Sequence, residues 1–111
     1  MAKLEQYRRA IQQLLKTYQT LGKSQPDIDR QIILDTEHDH YQLVNVGWHN
    51  DRRIYGCVLH FDIQDGKIWI QHNGTEFKLA DELVALGVAK QDIVLGFQSP
   101  FKRQFTEFAV S

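Results

Sequence analysis

Side chains able to ligate a metal or move a proton are few in this chain and unevenly spread. His38 and His40 flank Asp39 in a stretch of turn character, while His60 and Asp62 stand two apart in a run of strand character. Residues two apart on a strand share a face, so His60 and Asp62 can converge on a cation. A protein metal site takes three or four ligands, and this spacing supplies two, so a solvated or hydrogen-bonded role is expected for the histidines. Asp62 with Gln71 and Lys67 is a reduced version of the carboxylate and lysine set of hairpin-based endonucleases. Magnesium chemistry wants more carboxylate oxygen than that, and Gln71 brings no charge. Cys57 has no placed basic partner, and Ser24, Ser99 and Ser111 lie in no elbow or triad context. No residue is therefore expected to act as a catalytic, cofactor-binding or metal-ligating group, and the chain is expected not to be an enzyme.

Two tight turns must position these groups. Asp65-Gly66 separates two strand-like runs, a strong hairpin signal because both central residues of a type I′ turn need φ > 0. With those two at the centre, Gln64 pairs with Lys67, Asp62 with Trp69, His60 with Gln71 and Leu59 with His72. Alternation then assigns Tyr55, Cys57, Leu59, Phe61, Ile63, Ile68 and Ile70 to a core face. Ile54, Gly56, Val58, His60, Asp62, Gln64, Lys67, Trp69, Gln71 and Asn73 fall on the other, and His72 at the margin of the core face points away from the His60–Asp62 pair. A second turn at Asn50-Asp51 opposes Val46 to Tyr55 and Val44 to Cys57, extending the same apolar face.

The remaining elements follow from periodicity and punctuation. Leu4, Tyr7, Ile11, Leu14, Tyr18 and Leu21 are alternately three and four apart, which predicts an amphipathic helix over Lys3 to Leu21, stopped by Gly22. Lys23 to Arg30 reads as a connector and Gln31 to Asp35 as a short strand. Strands are expected at Tyr41 to Trp48, Arg53 to Ile63 and Lys67 to Asn73. A second helix runs through Leu79, Leu83 and Leu86 to Gly87, with Thr75 or Asp81 as its starting residue. Ile93, Val94 and Leu95 suit a buried fifth strand within Asp92 to Phe97, and Ser99-Pro100 opens a short terminal helix or docked tail. The fold class is α+β: a helix, a four-stranded antiparallel meander, a second helix, a fifth strand and a C-terminal helix or tail.

At 111 residues, with 42% hydrophobic and 24% charged content, the chain is expected to form one domain over 1–111. A net charge of −1 gives no general attraction to nucleic acid. Arg8, Arg9 and Lys16 on the first helix read as a solvated face, with Glu5 spaced to pair with Arg9. A single cysteine fits a reducing compartment, and no apolar run is long enough to span a membrane or serve as a signal peptide, so a cytoplasmic location is expected. Trp69 with Ile54 and Val58, bordered by His60, Asp62 and Gln71, has the aromatic centre and polar rim of an interface hot spot. The other reading of that face is a second core layer under the second helix or the tail. Phe101, Phe105 and Phe108 also need cover, from the domain or from a partner. These nine residues form the candidate partner surface.

The chain resembles a known family. Asp39-His40-Tyr41-Gln42-Leu43, Val46-Gly47-Trp48, Arg53-Ile54-Tyr55-Gly56-Cys57, the run from Asp65 to Glu76, and Asp92-Ile93-Val94-Leu95-Gly96-Phe97 with Ser99-Pro100 are similar to the fdxN element excision controlling factor XisI family. The opening Leu4-x-x-Tyr7-Arg8 fits too, so the likeness spans nearly the whole chain. It implies a cyanobacterial accessory protein concerned with developmentally controlled excision of a DNA element, a controlling factor and not the recombinase, working beside a nuclease-like XisH-type protein. It carries no catalytic residues over. The expected function is that of a non-enzymatic regulator that binds a XisH-like partner and forms a homo-oligomer, without cofactor or membrane. The rival readings are a metal-dependent nuclease subunit using Asp62 and His60, and direct DNA contact through the first helix, with affinity falling steeply as salt rises.

Overall fold

The computed structural model describes residues 2–21 and 27–111. Helix α1 (Ala2–Thr20) buries Tyr7, Ala10, Ile11, Leu14, Leu15 and Tyr18, the stripe expected from the spacing. Leu21 leaves that stripe and is exposed. The Gly22 stop and residues 23–26 of the connector lie outside the described residues. Polar groups on the rim of the stripe tie α1 to three carboxylates. Tyr7 Oη donates to Asp92 Oδ2 at 2.5 Å, where Lys3 Nζ also pairs at 2.8 Å. Arg8 grips Asp39 through both carboxylate oxygens at 2.9 and 3.1 Å, and Tyr41 donates to the same Asp39 at 2.6 Å. Tyr18 donates to Glu82. Arg8 is thus committed to an intramolecular ion pair.

The sheet has the order β1-β2-β3-β4-β5, with β1 Ile28–Asp35, β2 His40–His49, β3 Arg52–Gln64, β4 Lys67–Asn73 and β5 Ile93–Leu95. The first three connections are antiparallel, as the meander requires. Strand β1 begins at Ile28, three residues before the expected start, because Ile28 to Arg30 pair with Gly47 to Asn45. At Gly47 the neighbouring strand comes so close that a Cβ would lie 2.2 Å from the Asp27 carbonyl oxygen. The Asp65-Gly66 turn has φ of 52° and 76°, the type I′ signature.

Two register shifts depart from simple counting. Between Leu43 and Val44 the β3 partner changes from Leu59 to Cys57, leaving Val58 as an extra residue. Between His60 and Phe61 the β4 partner changes from His72 to Ile70, leaving Gln71 extra. A bulge of this kind changes which face the following residues occupy. Leu59, Phe61 and Ile63 remain in the core, but Tyr55 and Cys57 pair with Val46 and Val44 and turn away from it; Tyr55 is 73% exposed and Cys57 is exposed too. The expected burial of these two residues is corrected accordingly.

Helix α2 (Leu79–Ala85) packs Leu79, Ala80 and Leu83 into the same core as α1. Neither Thr75 nor Asp81 caps it; Lys78 occupies the N-cap without a side-chain bond, and Thr75 bonds Asn73. Its end is a Schellman motif: Gly87, at φ 99°, donates to Val84, and Val88 donates to Leu83. Strand β5 then pairs parallel with β4, as a crossover helix between neighbouring strands demands. Ser99 caps the short helix α3 (Pro100–Arg103) by accepting from the Lys102 amide. Beyond it Ala109 bridges to Val94 at the sheet edge.

Candidate functional site

The face away from α1 and α2 gathers polar groups around one carboxylate. Asp62 is 6% exposed and is the only charged residue buried to that degree among the described residues. His40, its direct partner across β2 and β3, brings Nδ1 to 2.8 Å from Asp62 Oδ1. His60, two residues along β3, brings Nε2 to 2.9 Å from the same oxygen. Gln71 Nε2 donates to the other oxygen, Oδ2, at 3.1 Å. Gln42 lies behind His60, with its amide 3.3 Å from Nδ1. Burial opposes the charge on Asp62, but the bonds from His40, His60 and Gln71 outweigh it and hold the carboxyl below its usual range. The bond to Asp62 pushes the His40 imidazole up in turn.

Both register shifts are needed for this arrangement. Counted from the Asn50-Asp51 turn, His40 would face Phe61, and the extra residue Val58 moves Asp62 opposite it. Counted from Asp65-Gly66, His60 would face Gln71; the second shift puts His72 there and brings Gln71 to Asp62. The convergence of His40 was therefore missed by sequence reasoning, and its only signal was the spacing of two turns and the presence of His at position 40.

Of the nine candidate surface residues, His60, Asp62, Trp69 and Gln71 share this face. Ile54 and Val58 do not: the register places them on the α1 side, opposite Gly47 and beside Leu59, and Val58 packs on the core. Trp69 lies opposite Asp62 with the Arg103 guanidinium 5.0 Å above its ring, so the tail covers it in part. Phe108 folds back against the core. Phe101 and Phe105 remain 68% and 75% exposed, with ring centroids 5.2 Å apart in edge-on contact. Lys67, the lysine of the endonuclease-like set, donates to the Ser111 carbonyl at 2.6 Å. Trp48 and Tyr55 add exposed aromatic area that sequence reasoning did not assign to a surface.

The model of the XisI protein family matches residues 1–110. The chain belongs to the XisI family. A XisI-like protein from Anabaena variabilis ATCC 29413 has 51% identity to this XisI-family chain, with a TM-score of 0.91 over 97% of this chain and 99% of that one. The fdxN element excision controlling factor XisI from the same organism has 39% identity and a TM-score of 0.85 over 98% and 99%. Comparison with curated proteins finds no match. Coverage of this extent means that the helix, five-stranded sheet and C-terminal segment of this XisI-family chain all have counterparts in both crystal structures.

Proposed function

We propose that this XisI-family protein is a non-enzymatic, cytoplasmic regulator of DNA-element excision that acts by binding a XisH-like protein, and that 1–111 works as one domain. The observation that carries the reading is the pair Phe101 and Phe105. Their rings contact each other and little else, yet the segment that presents them is pinned: Ser99 caps it, and Arg103 donates to the carbonyls of Leu95, Gln98 and Val110. Two phenylalanines held in water on an anchored turn forfeit burial worth about 2 kcal/mol each, which a partner can restore. The adjoining Trp69, with Gln71 and His60 at its border, continues that surface along the sheet.

The test is light scattering of the purified protein, alone and with the protein encoded beside it. A discrete mixed complex, lost on Phe101→Ala with Phe105→Ala, is expected. Two components that stay separate at micromolar concentration would remove the partner reading. The mass of the protein alone in the same run decides whether it is a homo-oligomer.

A further inference from the structure

We propose that His40, His60 and Asp62 form a binding site for a divalent transition cation of the zinc class. Each of His40, His60 and Asp62 brings a ligand atom within 4.8 Å of the other two, and His40 Nδ1 and His60 Nε2 both reach Asp62 Oδ1. Ligand atoms around a tetrahedral ion with bonds of ~2.0–2.1 Å stand ~3.3 Å apart, so modest rotation of His40 is enough to close the set. His40 is free to make it, since its side chain is 54% exposed, while Asp62 and His60 are held at 9% and 28%. Two neutral imidazoles and one carboxylate make a donor set that suits zinc, cobalt or nickel over magnesium or calcium.

The surrounding contacts are those a metal site needs. Gln71 occupies Oδ2 and leaves Oδ1 for the ion. The Gln42 amide meets His60 Nδ1; with its oxygen turned to the ring it accepts the Nδ1–H and leaves the Nε2 lone pair for the ion. All the ligands stand on adjacent paired strands and not on loops, so their backbone positions are fixed in advance. The bulge that sets His72 opposite His60 is what sends Gln71 to Asp62, and bulges are the usual device for re-aiming a side chain beside a site. The exposed side of His40 leaves the fourth position open to water or to an atom from another molecule.

The experiment is titration of tag-free, chelator-stripped protein with CoCl2, read by visible d–d absorption, and with ZnCl2, read by calorimetry and by melting temperature. One equivalent is expected, with intense tetrahedral cobalt bands and a melting temperature raised by zinc. His40→Gln and His60→Gln should abolish the bands, and Gln71→Met should weaken binding about tenfold. His38→Gln, which alters a histidine paired with Asp35 in the preceding turn, should bind as the parent does. His40→Gln is an exposed change that leaves the fold intact, so its result does not depend on the survival of an Asp62 variant. Absence of saturable binding, or binding that persists in His40→Gln and His60→Gln, overturns the proposal.

Discussion

Among the described residues three carboxylates accept from a tyrosine and fasten α1: Glu82 and Asp92 take tyrosines of the helix itself, and Asp39 takes Tyr41 of β2 while pairing with Arg8. Asp92 is the clearest. Its burial works against ionisation, but Lys3 and Tyr7 together outweigh that and hold its carboxyl below the ordinary range. The stabilisation from this group is therefore full above about pH 4, the unfolded value, and disappears as the pH falls through the lower folded value. Urea melts from pH 7 down to pH 3 should show Asp92→Asn losing less stability on acidification than the parent. Tyr7→Phe should cost about 1–2 kcal/mol at neutral pH, because a hydrogen bond to a charged group is removed while Lys3 still pairs with Asp92. Cys57 gives a second residue-scale expectation. It is exposed, so Ellman's reagent should titrate one thiol in the folded protein; partial burial of the sulfur pushes the thiol up, and the reaction should be slower than with a free thiol.

Among the elements, the two hairpins that share β3 show what was legible and what was not. Asp65-Gly66 could be read because few residues tolerate positive φ, and the pairs nearest it, Gln64 with Lys67 and Asp62 with Trp69, are observed, whereas His60 and Leu59 beyond the bulge pair with His72 and Asn73 and not with Gln71 and His72. The extra residue Val58 left no mark. Ile54 and Val58 are apolar, and so are Tyr55 and Cys57, so the pattern fits either phase and hydrophobicity cannot choose the face. Everything that depends on the shift, including the meeting of His40 with Asp62, was hidden with it. Deleting Val58 should remove the bulge and leave Leu59 opposite Leu43, Cys57 opposite Val44 and His40 opposite Asp62, so Cys57 should stay on the outer face and react with Ellman's reagent as in the parent. Gly47 is the matching constraint on β1. Gly47→Ala should cost about 1–3 kcal/mol in a thermal or urea melt, since the new Cβ meets the backbone of Asp27 and Ile28, which cannot swing aside as a side chain would.

For the whole molecule, the α+β plan was readable because each helix and strand carries its own period and its own stop signal. The direction of β5 was not assigned from the residues, yet it follows from α2: a helix between two neighbouring strands returns the chain to the same end of the sheet. The family resemblance agreed with the matched family and with both crystal structures. The candidate surface divided: His60, Asp62, Trp69 and Gln71 share one face and Phe101 and Phe105 stay exposed, while Val58 and Phe108 pack on the core and Ile54 lies on the other side of the sheet.

Arg103 lies over the Trp69 ring while holding three carbonyls of the segment that displays Phe101 and Phe105. The indole is thereby an intrinsic fluorophore in contact with the anchor of that segment. The other indole, Trp48, sits under Arg53 at the far end of β2. In a Trp48→Phe background the remaining emission comes from one place, so any event that lifts or tightens the C-terminal segment becomes visible as a change in colour or intensity, without a label.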